Sequence, residues 1–320
     1  MKILVTGCAG FIGYHVSSRL LNEGHTVTGI DNKNDYYDIR LKNHRLNQLL
    51  KHQRFDFKQT DIGSRETKET ILDGSFDVVV NLAGQAGVRF SSENPGAFYS
   101  SNIHGFYNVL DACRIANVGH FVYASSSSVY GNCQSSKFKE DLDVTNPISF
   151  YAATKVSNEV MAKSYKSMFG LRSTGLRFFT VYGPLGRPDM AIFDFTKRII
   201  AGDTIKLFND GKNKRDFTYV DDIVNGIIAI VNSQKSSDIY NIGNNTPVET
   251  NDLVRELENA IGKKAITENE SSVVGDVLFT CADTSLLQND FGIFPSVTID
   301  VGLRRFIKWY SEYYGVKLGK

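Results

Sequence analysis

The chain has 320 residues, enough to bury a large core as one domain or two, and its 42% hydrophobic and 22% charged positions are ordinary for a soluble enzyme. A formal net charge of +1 supplies no general attraction to nucleic acid or anionic lipid, so neither is expected as a partner. No apolar run reaches membrane-spanning length: the nearest, 223–231, is interrupted by Asn225 and Gly226, and the apolar start at 1–5 is too short for a signal peptide.

Cys8, Cys113, Cys133 and Cys281 lie far apart with no Cys-x-x-Cys, and the histidines form no ligand pattern. The expectation is a reduced, cytoplasmic protein with free thiols and no metal.

Ile3-Leu4-Val5-Thr6 reads as a first strand, followed by the glycine-rich turn Gly7-Cys8-Ala9-Gly10-Phe11-Ile12-Gly13 and a helix over 11–22. Such a turn suits a pyrophosphate: Gly7 for the bend, Gly10 for close backbone approach, Gly13 for helix–strand packing. The spacing is Gly-x-x-Gly-x-x-Gly rather than the commoner Gly-x-Gly-x-x-Gly. A second strand, 26–30, ends at Asp31, 24 residues past Gly7. There a carboxylate can accept both ribose hydroxyls and would repel a 2′-phosphate, which favours NAD over NADP.

The polar stretch 33–54 carries Leu41, Leu46, Leu49 and Leu50 at roughly helical spacing and reads as a surface helix with a solvated basic face. Strands at 55–57 and 78–80 bracket a helix at 65–72, and Asp61 is open to two readings, an adenine contact or a helix N-cap. Helices over 97–116 and 150–169 surround a strand at 121–124. This alternation argues for a parallel sheet covered on both faces, with ligands beyond the carboxyl ends of the strands. Gly7, Asp31, Asp61, Leu82-Ala83-Gly84 and Ser125-Ser126 all follow strands and so meet on one rim.

Tyr151-Ala152-Ala153-Thr154-Lys155 sets a phenol and an ammonium on one face of a helix. Tyr151 is the candidate acid/base; Lys155 and an oxidised nicotinamide would both favour its phenolate and draw its pKa down from ~10. Ser126 is placed to hydrogen-bond the same substrate hydroxyl. After Thr180 the pattern loosens through a turn-rich stretch at 181–188, then gives helices at 191–201, 220–232, 250–261 and 298–314 with short strands near 205–208 and 239–242. The expected division is a cofactor-binding domain at 1–180, to which helix 220–232 returns, and a smaller lobe at 181–320 capping the rim.

With these motifs in view, the chain resembles the extended short-chain dehydrogenase/reductases of the nucleotide-sugar epimerase and dehydratase group over nearly its whole length. The matching stretches are Thr6-Gly7 through Gly13, 82–89, Ser125-Ser126-Ser127-Ser128-Val129-Tyr130-Gly131, 151–155, 176–184 and 215–222. Within the group it is most similar to UDP-glucuronate 4-epimerases, through Gln85-Ala86-Gly87-Val88-Arg89, Tyr151 to Lys155 and, most tellingly, Gly186-Arg187-Pro188-Asp189-Met190-Ala191. The resemblance implies an α/β fold: a Rossmann-type doubly wound parallel sheet with a smaller α/β substrate-binding lobe.

It also implies NAD as cofactor, a UDP-sugar as substrate and a redox-neutral reaction: oxidation at C4, rotation of the 4-keto sugar, and hydride return to the opposite face. Tyr151, Lys155 and Ser126 are the implied catalytic residues. The implied cofactor contacts are Gly7, Gly10, Phe11, Ile12, Gly13, Asp31, Asn32, Asp61, Ile62, Leu82, Ala83, Gly84, Asn102, Ser125, Tyr151, Lys155 and Phe178. Substrate would be met by Arg89, Ser126, Ser127, Ser128, Tyr151, Thr180, Arg187, Arg215 and Asp276. Related decarboxylases and 4,6-dehydratases carry acidic residues where Ser127 and Ser128 stand, which argues against both activities here. Two positions depart from the pattern: Gly84 replaces the commoner alanine, and Val273-Val274-Gly275-Asp276 lacks a basic residue before its Gly-Asp.

Relatives pair through an intersubunit four-helix bundle, so a homodimer is expected, with Phe106, Val109, Leu110, Val160, Met161 and Tyr165 exceeding what a sheet-facing stripe requires. Two rival readings remain at this point: a 4-epimerase for UDP-glucose or UDP-N-acetylglucosamine, and a catalytically silent NAD-binding regulator.

Overall fold

The computed structural model describes residues 1–271 and 277–319. Strand β1 (Lys2–Thr6) passes through the glycine turn into α1 (Phe11–Asn22), and β2 (Thr26–Ile30), α2 (Ile39–Leu49), β3 (Phe55–Lys58), α3 (Arg65–Gly74) and β4 (Val78–Asn81) continue the alternation. Two short helices follow, α4 (Val88–Glu93) and α5 (Pro95–Phe98), then a π-helical segment over Tyr99–Gly105, α6 (Phe106–Ile115) and β5 (His120–Ser126). The chain continues through α7 (Phe150–Phe169), β6 (Ser173–Phe178), β7 (Thr180–Tyr182), α8 (Ala191–Ala201), β8 (Thr204–Phe208), β9 (Lys214–Tyr219) and α9 (Val220–Asn232). Last come β10 (Ile239–Ile242), β11 (Pro247–Glu249), α10 (Thr250–Ile261), β12 (Ile266–Glu270), α11 (Ser285–Phe291) and α12 (Ile299–Tyr314).

Seven strands form one parallel sheet in the order β10-β6-β5-β4-β1-β2-β3. Side chains alternate across a strand, so β1 sends Ile3 and Val5 into one core and Leu4 into the other. Both faces are thus helix-covered, and the strands are apolar runs rather than alternating ones. From β1 the sheet grows one way through β2 and β3 and the other way through β4, β5 and β6. The switch in direction opens a crevice between the carboxyl ends of β1 and β4.

The smaller lobe holds a three-stranded sheet, β11-β9-β7, and a parallel pair, β12-β8. Helix α10 packs on α8 and α12 there. Helix α9 lies against α1, which flanks the large sheet; strand β10 belongs to that sheet, paired with β6.

Three expectations change in detail. Helix α2 is no solvated face: Leu41, Lys42, Arg45, Leu46 and Leu49 are all buried. The helix expected over 97–116 is broken by the π-helical turn at Tyr99–Gly105. Phe106, Val109 and Leu110 are not surplus apolar residues, because they fill the second core, with Met161 and Tyr165 packed against it; only Val160 of that set is exposed. Among the described residues no helix is long and apolar enough to cross a membrane, and all four cysteines are free thiols.

Candidate active site

The crevice at the switch point is a cleft of about 440 Å³, the size class of small-molecule sites. Gly7 sits at φ +71°, a left-handed conformation, and an added Cβ would stand 2.9 Å from the backbone nitrogen of Ala83, so β1 and β4 meet without side chains between them. A Cβ on Gly13 would lie 2.0 Å from the Gly7 carbonyl oxygen, which lets α1 start hard against β1. Gly10 caps α1 without a side chain, and the first turn carries no acidic residue. Its free N–H groups and dipole face the cleft, the arrangement that binds phosphate.

Asp31 stands at the end of β2 and is buried; its Oδ2 accepts from the Ala9 amide at 3.0 Å and its Oδ1 from the Lys33 amide at 2.7 Å. Asp61 is not a helix N-cap: Ser64 caps α3, while Asp61 accepts from the Gly63 amide at 2.8 Å and from Asn32 Nδ2 at 2.7 Å. Both carboxylates line the cleft.

Ser125 and Ser126 form the end of β5 rather than the loop after it. The Ser126 hydroxyl accepts from the Ser128 amide at 3.1 Å and donates to Ser128 Oγ at 3.2 Å, and Ser126 lines the cleft together with Tyr151. Ser149 caps α7, accepting from the Ala152 amide at 3.1 Å, so Tyr151 stands in the first turn and Lys155 one turn on. Lys155 Nζ donates to the Ala124 carbonyl at 2.9 Å and lies 6.0 Å from the centre of the Tyr151 ring. Behind them, Glu159 accepts from Ser125 Oγ at 2.5 Å and forms a two-pronged pair with Arg177, at 3.0 and 2.8 Å. Tyr151, Lys155 and Glu159 follow one another at i, i+4 and i+8 along one helix face.

The charge balance differs from the expected one. Burial raises the Tyr151 pKa, with the nearby Ser126 hydroxyl and the Arg187 charge opposing it. Burial also lowers Lys155 to about 8, while Glu159 pulls it upward. Desolvation therefore outweighs the effects of Ser126 and Arg187, and the protein alone does not bring the phenol down toward neutral pH.

The family model for NAD-dependent epimerases and dehydratases matches residues 3–243, three quarters of the chain. This protein belongs to that family. It is 44% identical to UDP-glucuronate 4-epimerase 4 of Arabidopsis thaliana, across 98% of this chain and 76% of that protein. It is also 44% identical to the UDP-glucuronate 4-epimerase of Thermodesulfobacterium geofontis, across 97% of this chain and 96% of that one. The crystal structure of UDP-glucuronic acid 4-epimerase from Bacillus cereus, in complex with UDP-glucuronic acid and NAD, superposes with a TM-score of 0.93 at 34% identity, covering 98% of this chain and all of that one.

For a member of the NAD-dependent epimerase family the cleft is built for its cofactor. The bare turn that a Cβ would fill, the open N-terminus of α1 and the buried acceptor Asp31 fit a dinucleotide's pyrophosphate and ribose. Of the residues expected at the site, Gly7, Gly10, Phe11, Ile12, Gly13, Asp31, Asn32, Asp61, Ile62, Leu82, Ala83, Gly84, Ser125 to Ser128, Tyr151, Lys155, Phe178, Thr180, Arg187 and Arg215 line one continuous cleft.

Two do not line it. Asn102 is buried behind the wall, where its amide accepts from Gln85 N at 2.8 Å and donates to Gln85 O at 2.9 Å and Thr154 Oγ1 at 3.0 Å. It pins the segment after β4 to α7. Arg89 lies over the Phe208 ring at 4.3 Å. Asp276, with Val273, Val274 and Gly275, falls outside the described residues.

Arg187 is ion-paired with Asp189, whose carboxylate also accepts from Tyr36 Oη at 3.3 Å. The cleft residues missing from the sequence reading are chiefly Asn34, Tyr36, Tyr37 and Lys42, all from the stretch taken for a surface helix, together with Gln85. Lys42 and Arg45 share a helix face with Leu41, Leu46 and Leu49, and that spacing is the signal that they are buried.

Proposed function

We propose that this protein is a UDP-glucuronate 4-epimerase that works on a tightly held NAD. The observation that carries the reading is the meeting of Ser126, Tyr151 and Lys155 with Ser127, Ser128, Thr180, Arg187 and Arg215 in the cleft that also holds the glycine turn and Asp31. The likeness to UDP-glucuronate 4-epimerases from a plant and two bacteria supports the same substrate.

Bound NAD supplies a hydride acceptor at C4 of the sugar that later becomes the donor. Tyr151 Oη takes the O4 proton as the carbon is oxidised and returns it after the 4-keto sugar has turned about its link to the diphosphate. Ser126 holds that oxygen in line with Tyr151. Ser127, Ser128 and Thr180 are neutral donors at the sugar, able to hold a carboxylate without repelling it and without acting as the acid that dehydration requires. Arg187 and Arg215 grip the anionic substrate. Of the lining carboxylates among the described residues, Asp31 and Asp61 serve the adenosine end. The division of labour is a cofactor domain at 1–180, joined by α9 and β10, and a nucleotide-sugar lobe from the rest of 181–320.

We also infer a cytoplasmic homodimer that serves polysaccharide biosynthesis. Exposed Tyr99, Tyr107, Phe150, Val160 and Met168, on the π-helical segment, α6 and α7, support pairing through those helices. Incubation with UDP-glucuronate, UDP-glucose and UDP-N-acetylglucosamine separately, followed by NMR of the anomeric protons, tests the activity. Conversion of UDP-glucuronate to UDP-galacturonate without added NAD is expected. Conversion of only the neutral sugars overturns the substrate, and no conversion of any overturns the enzyme.

A further inference from the structure

Arg45 is the largest fully buried side chain among the described residues, at 0% exposure, and none of the hydrogen bonds it makes there goes to a carboxylate. A guanidinium so placed is costly unless every donor is used. Here all are. Nε and Nη2 donate to the Leu185 carbonyl at 3.1 and 2.5 Å, Nη2 also to the Gly186 carbonyl at 3.2 Å, and Nη1 to the Ala9 carbonyl at 3.0 Å and to Tyr37 Oη at 2.7 Å.

These partners come from two halves of the molecule. Ala9 lies in the cofactor turn, and its amide donates to Asp31. Leu185 and Gly186 lie in the segment that crosses into the smaller lobe, directly before Arg187. Leu185 has φ +58°, a left-handed conformation unfavourable for a branched side chain, and its carbonyl is the one gripped twice. The carbonyl one residue earlier, of Pro184, accepts from His15 Nε2 at 3.0 Å. Three successive carbonyls, 184–186, are therefore held by side chains of the cofactor domain in a conformation the chain would not choose by itself.

We propose that Arg45 is a positioning residue for substrate binding: it clamps the carbonyls of Leu185 and Gly186 to the cofactor turn at Ala9 and so aims Arg187 into the cleft. The proposal rests on the reading of Arg187 as a substrate contact. Lysine offers a point charge with three donors and does not reproduce the planar fork, so Arg45→Lys releases the segment while keeping the charge.

The test is a double-mutant cycle on the NAD-loaded enzyme, with Arg45→Lys, Arg187→Ala and the pair, reading kcat and KM for UDP-glucuronate, bound NAD and circular dichroism. Each single variant is expected to raise KM roughly tenfold, and Arg45→Lys to hold kcat within about twofold with its NAD content and fold intact. In the Arg187→Ala background Arg45→Lys should raise KM no further, because the group it aims is gone. Two KM increases that multiply overturn the proposal, as does an Arg45→Lys enzyme that loses NAD or kcat at unchanged KM. If Arg187→Ala alone leaves KM unmoved, the reading of Arg187 fails first and the role of Arg45 falls with it. Should Arg45→Lys not fold, His15→Phe, which keeps a ring and removes the donor to the Pro184 carbonyl, decides: a KM increase absorbed by Arg187→Ala supports the clamp, and an additive or absent one overturns it.

Discussion

At the scale of single residues, the proposed roles separate proton transfer from substrate grip. Tyr151 is half-buried beside Ser126, and burial holds its pKa above the ordinary value. Replacing it with phenylalanine keeps the ring and removes the proton acceptor. Turnover of Tyr151→Phe should fall by roughly 10² or more, while NAD content and UDP-glucuronate affinity persist. A variant with near-normal turnover removes Tyr151 from catalysis. Arg187 should fail differently. Arg187→Ala is expected to raise KM with kcat little changed, and more for UDP-glucuronate than for UDP-glucose if its charge meets the sugar carboxylate. Equal losses with both substrates put Arg187 on the diphosphate. Tyr151, Lys155 and the glycine turn were legible because their chemistry dictates both residue type and spacing. Arg45 and Lys42 were passed over because a basic residue in a polar stretch looks solvated, although they share a face with Leu41, Leu46 and Leu49; Arg45 is held beneath the 185–186 carbonyls and Lys42 donates to the Asn34 carbonyl at 2.7 Å.

At the scale of elements, β1, α1, β2, α7, α8 and α9 were readable because their apolar spacing matches the side they bury. Strand β6 was not, although it lies fully buried between β5 and β10. Ser173, Thr174, Gly175 and Arg177 disguise it. A Cβ on Gly175 would stand 2.6 Å from Tyr123 Oη, so glycine makes room for a neighbouring ring, and Arg177 is tolerated because Glu159 meets it two-pronged. The neighbouring strand carries a testable cost. His120, at the start of β5, is buried, donates or accepts only with Thr174 Oγ1 at 2.9 Å, and leaves Nδ1 without a partner. Burial, with the Arg172 charge adding to it, lowers its pKa to about 3. The unfolded chain binds this proton below an ordinary pKa of ~6.5 while the folded one refuses it, so the contribution is intact above ~6.5 and is lost as pH falls toward 3. Between pH 7 and 4 the wild type should lose about 2–3 kcal/mol more stability than His120→Gln, measured by urea unfolding. Parallel stability curves for the two proteins would show that His120 does not titrate on unfolding.

At the scale of the whole molecule, what remains to be covered is the outer side of the helices that flank the sheet. The sequence suggested surplus apolar residues on these helices, and the fold relocates the surplus: Phe106, Val109 and Leu110 go inward, while Tyr99, Val160 and Met168 stay 59%, 62% and 67% exposed. Phe106, Val109 and Leu110 share one face of α6, and the π-helical turn at Tyr99–Gly105 shifts the phase of Tyr99 and the residues before α6 against that face. Exposed aromatic and aliphatic groups of this size on adjoining helices are expected to meet the same groups of a second copy about a two-fold axis. Light scattering at micromolar concentration should give twice the chain mass of 35.7 kDa. Val160→Asp together with Met168→Glu places two carboxylates from each copy in that interface, where unpaired burial is costly, and should yield a folded monomer. None of these residues lines the cleft, so NAD content should survive the separation. A wild type of single-chain mass, or a double variant that remains paired, would assign the exposed faces of α6 and α7 another role.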